Sequence, residues 1–278
     1  MMATSESELT AEVIASFGNT TDPRLKEIMQ SLVKHLHAFA REIRITDEEW
    51  LFAMDFLTRT GQMCSDVRQE FILLSDTLGL SSLVDLINHS KGDDRATEPT
   101  ILGPFHVANS RLLNYGDSIV TRSLTEGEPA IVRGRVVDVD GNPISGAMID
   151  VWQTDANGLY DIQESNDVSG NLRGLFKADA DGKYEFRTIR PVPYPIPADG
   201  PVGKMLRSVS RHEWRAAHIH AIVEAQGYRQ VTTHIFDKES KYLDSDTVFG
   251  VKESLIKEFV KQPDGNLLLE YDFVLVKG

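Results

Sequence analysis

The spacing of apolar residues changes once along this chain, near residue 100, and the change restricts the folds open to it. Before it, Leu25, Ile28, Met29, Leu32, Leu36, Phe39, Ala40 and Ile43 recur three and four residues apart, the stripe of an amphipathic helix. Asp22 can cap that helix, and Pro23 takes its first position, where a missing N–H costs nothing. Thr46-Asp47-Glu48-Glu49 reads as a capping box ahead of Trp50, Ala53, Met54 and Leu57. A third helix is expected from about Asp66 through Phe71, Leu74 and Leu78, with Gly79 as its stop, and a short amphipathic turn from Ser82 to Asn88. Met29, Phe52, Met54 and Phe56 are expected in a helix-packing core rather than a ligand groove. His35 and His37 lie two apart on a helix, so they do not share a face and are not a metal pair.

The polar stretch Ser90 to Thr100 carries Gly92 and Pro99 and reads as a boundary. Beyond it the pattern has period two with turn punctuation. Strands are expected over Ala130 to Val137, around Ala147, Ile149 and Val151, over His218 to Ala225, Gln230 to Phe236, and Leu267 to Val276. Asp140-Gly141-Asn142-Pro143 turns the chain, and Asp181-Gly182 is expected to close a hairpin between Phe176–Ala180 and Lys183–Phe186. The expected class is α+β: a helical region at 1–100, then an antiparallel β-sandwich at 101–278.

Composition excludes several functions. A net charge of −13 argues against nucleic acid and anionic membranes as partners. Hydrophobic content of 41% is that of a globular chain, and no run approaches the length of a membrane span. Cys64 stands alone, so no internal disulfide forms, and residues 1–10 are polar and acidic without an apolar signal core. The expectation is a cytoplasmic protein.

Candidate chemistry centres on Arg215-Ala216-Ala217-His218-Ile219-His220. On a strand, side chains two apart share a face, so both imidazoles project together. That arrangement suits zinc, copper, iron or nickel, and equally a pair of hydrogen-bonded core histidines. A zinc site would want a third ligand, for which His234 on the following strand is a candidate, but there is no His-Glu-x-x-His helix and no cysteine pair. His106 and His212 read as non-ligands. Two tyrosines stand out in loops. Tyr160 ends a segment just after a strand, and Tyr194 is surrounded by Pro191, Pro193, Pro195 and Pro197, which stiffen its backbone. Either alone reads as a packed ring with a hydrogen-bonded hydroxyl.

Together, Gly158-Leu159-Tyr160, the Arg190-Pro191 loop with Tyr194-Pro195-Ile196-Pro197, and Arg215-x-x-His218-Ile219-His220 resemble the non-haem ferric intradiol ring-cleaving dioxygenases. The likeness runs along essentially the whole chain, including Gly103-Pro104-Phe105. It implies Fe(III) held by Tyr160, Tyr194, His218 and His220, a catechol-type substrate, and O₂ inserted between the two hydroxyl-bearing carbons. It implies that Tyr194 leaves the metal when substrate binds, and that Arg215 stabilises negative charge on the ring. His234 stands where many relatives carry Gln, and is expected to hydrogen-bond behind the metal site. The pocket mouth is expected at Leu73, Asp76, Ile101, Leu102, Gly103, Pro104, Phe105, Ile196, Pro197 and Val248. Catechol-cleaving relatives tend to be apolar at the position of Asp76, and a carboxylate there can accept a hydrogen bond from a third hydroxyl. With the segment Phe236 to Asp246, this points to the hydroxyquinol branch, with benzene-1,2,4-triol as expected substrate and 3-hydroxy-cis,cis-muconate or maleylacetate as product.

The alternative within this chemistry is a catechol or chlorocatechol 1,2-dioxygenase. From a different class, Val132 to Tyr160 resembles transthyretin-like sandwich modules, which bind without catalysing. A zinc hydrolase is a third reading. The resemblance also implies a homodimer through the helical region, with a lipid-like molecule in the interface.

Overall fold

The computed structural model describes residues 5–65, 68–89, 93–122, 126–163 and 170–278. Asp66 and Ser90 to Gly92, which figure in the expectations above, lie outside these. The chain divides into two compact units, residues 1–59 and 60–278.

The first unit is helical. Helix α1 (Glu6–Ser16) starts at Ser5, whose hydroxyl accepts the Glu8 N–H. Helix α2 (Pro23–Ile43) starts as its sequence dictates: an Asp22 carboxylate oxygen accepts the N–H groups of Arg24 and Leu25, and Pro23 follows the cap. It ends at Arg44, which takes a left-handed conformation with φ 53°. Helix α3 (Asp47–Gln62) opens on the capping box, with Thr46 N–H donating to the Glu49 carboxylate and Glu49 N–H to the Thr46 hydroxyl. Thr10 of α1 joins His37 and Arg41 of α2 by hydrogen bonds of 3.0 and 2.7 Å. Thr10 is the one buried residue among the described residues up to 59. The expected helix-packing core is therefore corrected: Phe52 and Met54 are exposed, Met29 and Phe56 are only half-buried, and Leu25, Ile28, Leu32, Leu36, Phe39 and Ile43 of the stripe are exposed. Period alone cannot tell a face packed within one chain from a face left for another surface.

In the second unit, α4 (Glu70–Thr77) and α5 (Leu80–His89) meet at Gly79, with φ 74°. The strands then follow: β1 (Leu112–Leu113), β2 (Pro129–Asp138), β3 (Met148–Trp152), β4 (Arg173–Lys177), β5 (Lys183–Ile189), β6 (Tyr194–Pro195), β7 (Trp214–Arg215), β8 (His218–Glu224), β9 (Val231–Asp237), β10 (Ile256–Lys257), β11 (Val260–Lys261), β12 (Leu267–Glu270) and β13 (Phe273–Leu275). Helix α6 (Pro201–Ser208) lies between β6 and β7 in sequence. One sheet has the order β1-β4-β3-β8-β9-β10; the other is β11-β12-β2-β13, with β5 also on β2; β6 and β7 form a ribbon.

Two expectations are corrected here. The sheets are mixed rather than antiparallel: β12 and β13 run parallel to β2, β1 to β4 and β10 to β9. Alternation has period two in either direction, so the pattern could not reveal it. And Asp181-Gly182 does not close a hairpin, because β4 pairs with β3 while β5 pairs with β2. The Asp179 carboxylate shapes a tight turn by accepting the N–H groups of Asp181 and Lys183, and the chain arches from one sheet to the other. Phe176 and Phe186 consequently face each other across the core, with ring centroids 5.3 Å apart.

That core decides where the site lies. Ile149 and Val151 of β3 and Ile219, Ala221 and Val223 of β8 point inward, against Val132, Val136, Tyr184 and Phe186. The intervening residues, Trp152, His218 and His220, therefore face the outer side of the six-stranded sheet.

A candidate metal centre on the outer face of the sheet

Register sets three side chains in a row across three strands. Trp152 pairs with His220, and His220 with His234. The Trp152 ring stacks on His220 at 4.6 Å and 11°, and His234 Nε2 lies 2.8 Å from His220 Nδ1. Side chains at paired positions of neighbouring strands are held at this separation by the ladder itself. His220 Nε2 is thereby turned the other way, toward Tyr160 Oη at 2.9 Å and His218 Nε2 at 3.1 Å.

The tyrosines arrive on separate supports. Tyr160 follows β3 and is fixed by its neighbours: its N–H donates to the Gln163 side chain, and Asp161 is locked in a buried ion pair with Arg173. Tyr194 is in β6, where it pairs with Arg215 of β7. The loop before it is anchored by Arg190, which donates to Asp237 and Glu239. Gly158 lets the two supports meet: it has φ 82°, and a Cβ there would lie 2.9 Å from the Tyr194 Cβ. Tyr160 Oη and Tyr194 Oη end 3.0 Å apart with their rings edge to face.

Four polar atoms thus converge: two phenol oxygens and two imidazole Nε2 atoms. All four residues are buried. His218 Nδ1 donates to the Ala216 carbonyl at 2.6 Å, which leaves its Nε2 lone pair for the centre. Burial holds all three imidazoles well below their usual range, with neighbouring cationic groups adding to it, so they are neutral. Burial, then the nearby Tyr194, pushes the Tyr160 phenol well up. Arg215 Nη1 completes the rim, 3.3 Å from Tyr194 Oη and 3.2 Å from His218 Nε2. Burial opposes its charge, but the Asp246 carboxylate more than offsets that and holds the guanidinium cationic.

His218, His220 and His234 have nitrogens within 4.8 Å of one another, and on spacing alone could hold an ion. The orientation favours a different division. His234 meets Nδ1 of His220, the nitrogen turned away from the phenols, so it stands behind His220.

The wall beside the donors is apolar. Leu73 of α4, Ile196, Val248 and the half-buried Ile101 cluster with Val202 and Leu206 of α6. Phe105 stacks on Tyr160 at 4.5 Å, and Gly103 lies over His220 Cε1. Asp76 is one turn along α4 from Leu73 and only 3% exposed. Burial raises its carboxyl, while a hydrogen bond from Ser81 and the Arg215 charge pull the other way. Pro104 and Pro197 are half-buried. Leu102 is more exposed and lines a separate cavity of about 480 Å³ beside His106 and Asp150. His106 pairs with Asp150, and His212 Nδ1 accepts the Trp214 N–H, so neither joins the centre. Sequence reasoning missed Trp152 and Asp246. The first carried a signal, since it lies on the same strand face as Asp150 and Met148; the second had none.

Comparison with known proteins agrees with this geometry. Residues 101–277 match the family model described as Dioxygenase, and residues 22–95 the one described as Catechol dioxygenase N terminus. The chain belongs to the intradiol ring-cleavage dioxygenases, and it is an enzyme of that class. Among its relatives are a 6-chlorohydroxyquinol 1,2-dioxygenase of Cupriavidus pinatubonensis, 50% identical over 96% of each chain, and a hydroxyquinol 1,2-dioxygenase of a Rhizobium species, 48% identical over 94% of this chain and 88% of the other. The crystal structure of hydroxyquinol 1,2-dioxygenase from Pseudomonas putida superposes with a TM-score of 0.92, at 46% identity, covering 98% of this chain and 99% of that one.

Proposed function

We propose that the protein opens the ring of hydroxyquinol with O₂ between its vicinal hydroxyl-bearing carbons, giving 3-hydroxy-cis,cis-muconate, the enol form of maleylacetate. The observation that carries this reading is the meeting of Tyr160, Tyr194, His218 and His220 at separations of 2.9 to 3.1 Å. This donor set fits non-haem Fe(III): phenolate is a hard anionic donor, two of them offset ferric charge, and binding removes the phenol protons. When bound there, ferric iron would chelate both oxygens of the diol and make the ring receptive to O₂.

The chain's own groups do the rest. Tyr194 Oη would accept a proton from the incoming diol. Arg215 Nη1 stands beside it and stabilises negative charge gathering on the ring. Leu73, Ile196 and Val248 exclude water from the ring, with Ile101, Gly103, Pro104, Phe105 and Pro197 around the mouth; Leu102, expected there too, lines the separate cavity beside His106 instead. Ionised Asp76 accepts a hydrogen bond from the third hydroxyl and so discriminates against catechol, which lacks it. His234 holds His220 in the tautomer that presents Nε2.

In this reading residues 1–100 form a linker and dimerisation region and 101–278 the catalytic domain. Two copies pair through the exposed stripe of α2, with a lipid-like molecule between them. No described helix is long and apolar enough to cross a membrane, and the reading places the protein in the cytoplasm. The test is oxygen uptake by iron-loaded protein with hydroxyquinol and catechol side by side, corrected for autoxidation of hydroxyquinol. A strong preference for hydroxyquinol is expected. Preference for catechol would overturn the substrate, and no uptake with either would overturn ring cleavage.

A further inference from the structure

Arg215 is gripped from behind. Asp246 Oδ1 accepts from its Nε at 3.2 Å and Oδ2 from its Nη2 at 3.4 Å, with both side chains almost solvent-free. Asp246 Oδ2 also accepts the Gly250 N–H at 2.9 Å. Gly250 closes the grip. A Cβ there would lie 3.0 Å from Arg215 Nη2 and 3.2 Å from Asp246 Oδ2. The one terminal nitrogen left outside this grip, Nη1, is the one that reaches Tyr194 Oη and His218 Nε2. A guanidinium is planar, so holding one edge fixes where the other points.

We propose that Asp246, with Gly250, is a positioning residue for ring cleavage: it sets the plane of the Arg215 guanidinium so that Nη1 faces the metal centre. The inference rests on the ring-cleaving function proposed above. The described side-chain hydrogen bonds of Asp246 go to Arg215 and the Gly250 N–H, and none to the four converging residues or the apolar wall.

The experiment uses full-length, iron-loaded protein and reads iron per subunit, the ferric-tyrosinate absorption band, and kcat and KM for hydroxyquinol. Asp246→Asn keeps the shape and removes the anion. It is expected to lower kcat about 10- to 100-fold, the range of a hydrogen bond to a charged group, with iron content, band and KM near those of the parent. Gly250→Ala keeps the carboxylate and crowds the guanidinium, and it guards against a misfolded Asp246→Asn. It is expected to lower kcat about 3- to 10-fold. In an Arg215→Ala background, either change is expected to add less than about twofold, because residues acting as a unit are not additive. Unchanged kcat in both single variants would overturn the inference, as would an undiminished effect without Arg215, or loss of iron in Asp246→Asn. If the wild-type protein consumes no O₂ with any diol, the functional reading falls and this inference with it; wild-type turnover with indifferent variants sinks the inference alone.

Discussion

The two sides of the site are built from different materials. The donor side is a sheet face and a ribbon: Trp152, His220 and His234 sit at paired positions of three strands, and Tyr194 and Arg215 at paired positions of two. The side proposed for substrate is assembled from a face of α4, loops and α6, and its cluster is apolar, with the proposed specificity residue Asp76 one turn along α4 from Leu73. Residues locked by strand register, as His218, His220 and Tyr194 are, cannot be lost without disturbing their paired neighbours. A wall of separate side chains can change one residue and leave the donors alone. The reaction type should therefore reside in the sheet and the choice of diol in the helical wall.

The strongest test of that division removes a donor. Tyr160→Phe or His220→Ala should lose bound iron and with it both the charge-transfer band and turnover, since a buried four-donor set gives no substitute ligand. Metal analysis beside absorbance would show it. Iron retention in His220→Ala would break the comparison at once.

Next is His234, behind the donors. Presenting Nε2 of His220 to a metal requires its Nδ1 to carry the proton, donated to His234 Nε2. His234→Leu removes that acceptor and should weaken iron retention about 10- to 100-fold under chelator challenge, the usual cost of losing such a partner. His234→Gln keeps an acceptor and should stay close to wild type. If His234 is itself a ligand, the Gln variant will lose iron as badly as Leu.

How much of this was legible depended on distance along the chain. His218 and His220 could be paired from sequence because a strand's period places them on one face, and the helix caps of α2 and α3 follow from local chemistry at Asp22, Pro23 and Thr46. Tyr160 and Tyr194 could be joined to them only through a family resemblance, since no local rule links a residue after β3 to one in β6. The grip of Asp246 on Arg215 spans 31 residues and depends on how the loop before Gly250 closes. The parallel course of β12 and β13, and the arch at Asp181-Gly182, were hidden because alternation is the same for either strand direction or partner. The exposed stripe of α2 gave its helix correctly and its burial wrongly.

On the substrate side the expected effects are smaller. Asp76→Asn should lower the preference for hydroxyquinol over catechol by about tenfold and leave iron content unchanged. Its stability should move the other way. Burial raises the Asp76 carboxyl above its ordinary 3.8, so near that value the folded chain binds more protons than the unfolded one. Stability then falls as pH rises, and the penalty is full above the folded value. Asn carries no such penalty. The variant should melt higher than the parent at pH 7, and the gain should vanish below about pH 3.8. A variant that is less stable at pH 7 would mean that Asp76 is held by its hydrogen bond from Ser81 more than it is strained by burial.

The least effect on chemistry should come from the stripe of α2. Leu32 and Phe39 are each more than half exposed, and they share one face with Leu25, Ile28, Leu36 and Ile43. Six large apolar side chains on one helix face exceed what scattered surface exposure accounts for. A charge in the middle of a paired apolar face is costly to bury, whereas on a free surface it costs nothing. Leu32→Glu with Phe39→Glu should therefore convert a dimer to monomers by light scattering, with kcat per iron within about twofold of the parent, because neither residue belongs to the donors or the wall. Dimers that survive both charges would show that another face makes the pair. A large fall in kcat per iron would be the more instructive failure, since it would tie the helical region to the site and end the separation of roles between sheet and wall.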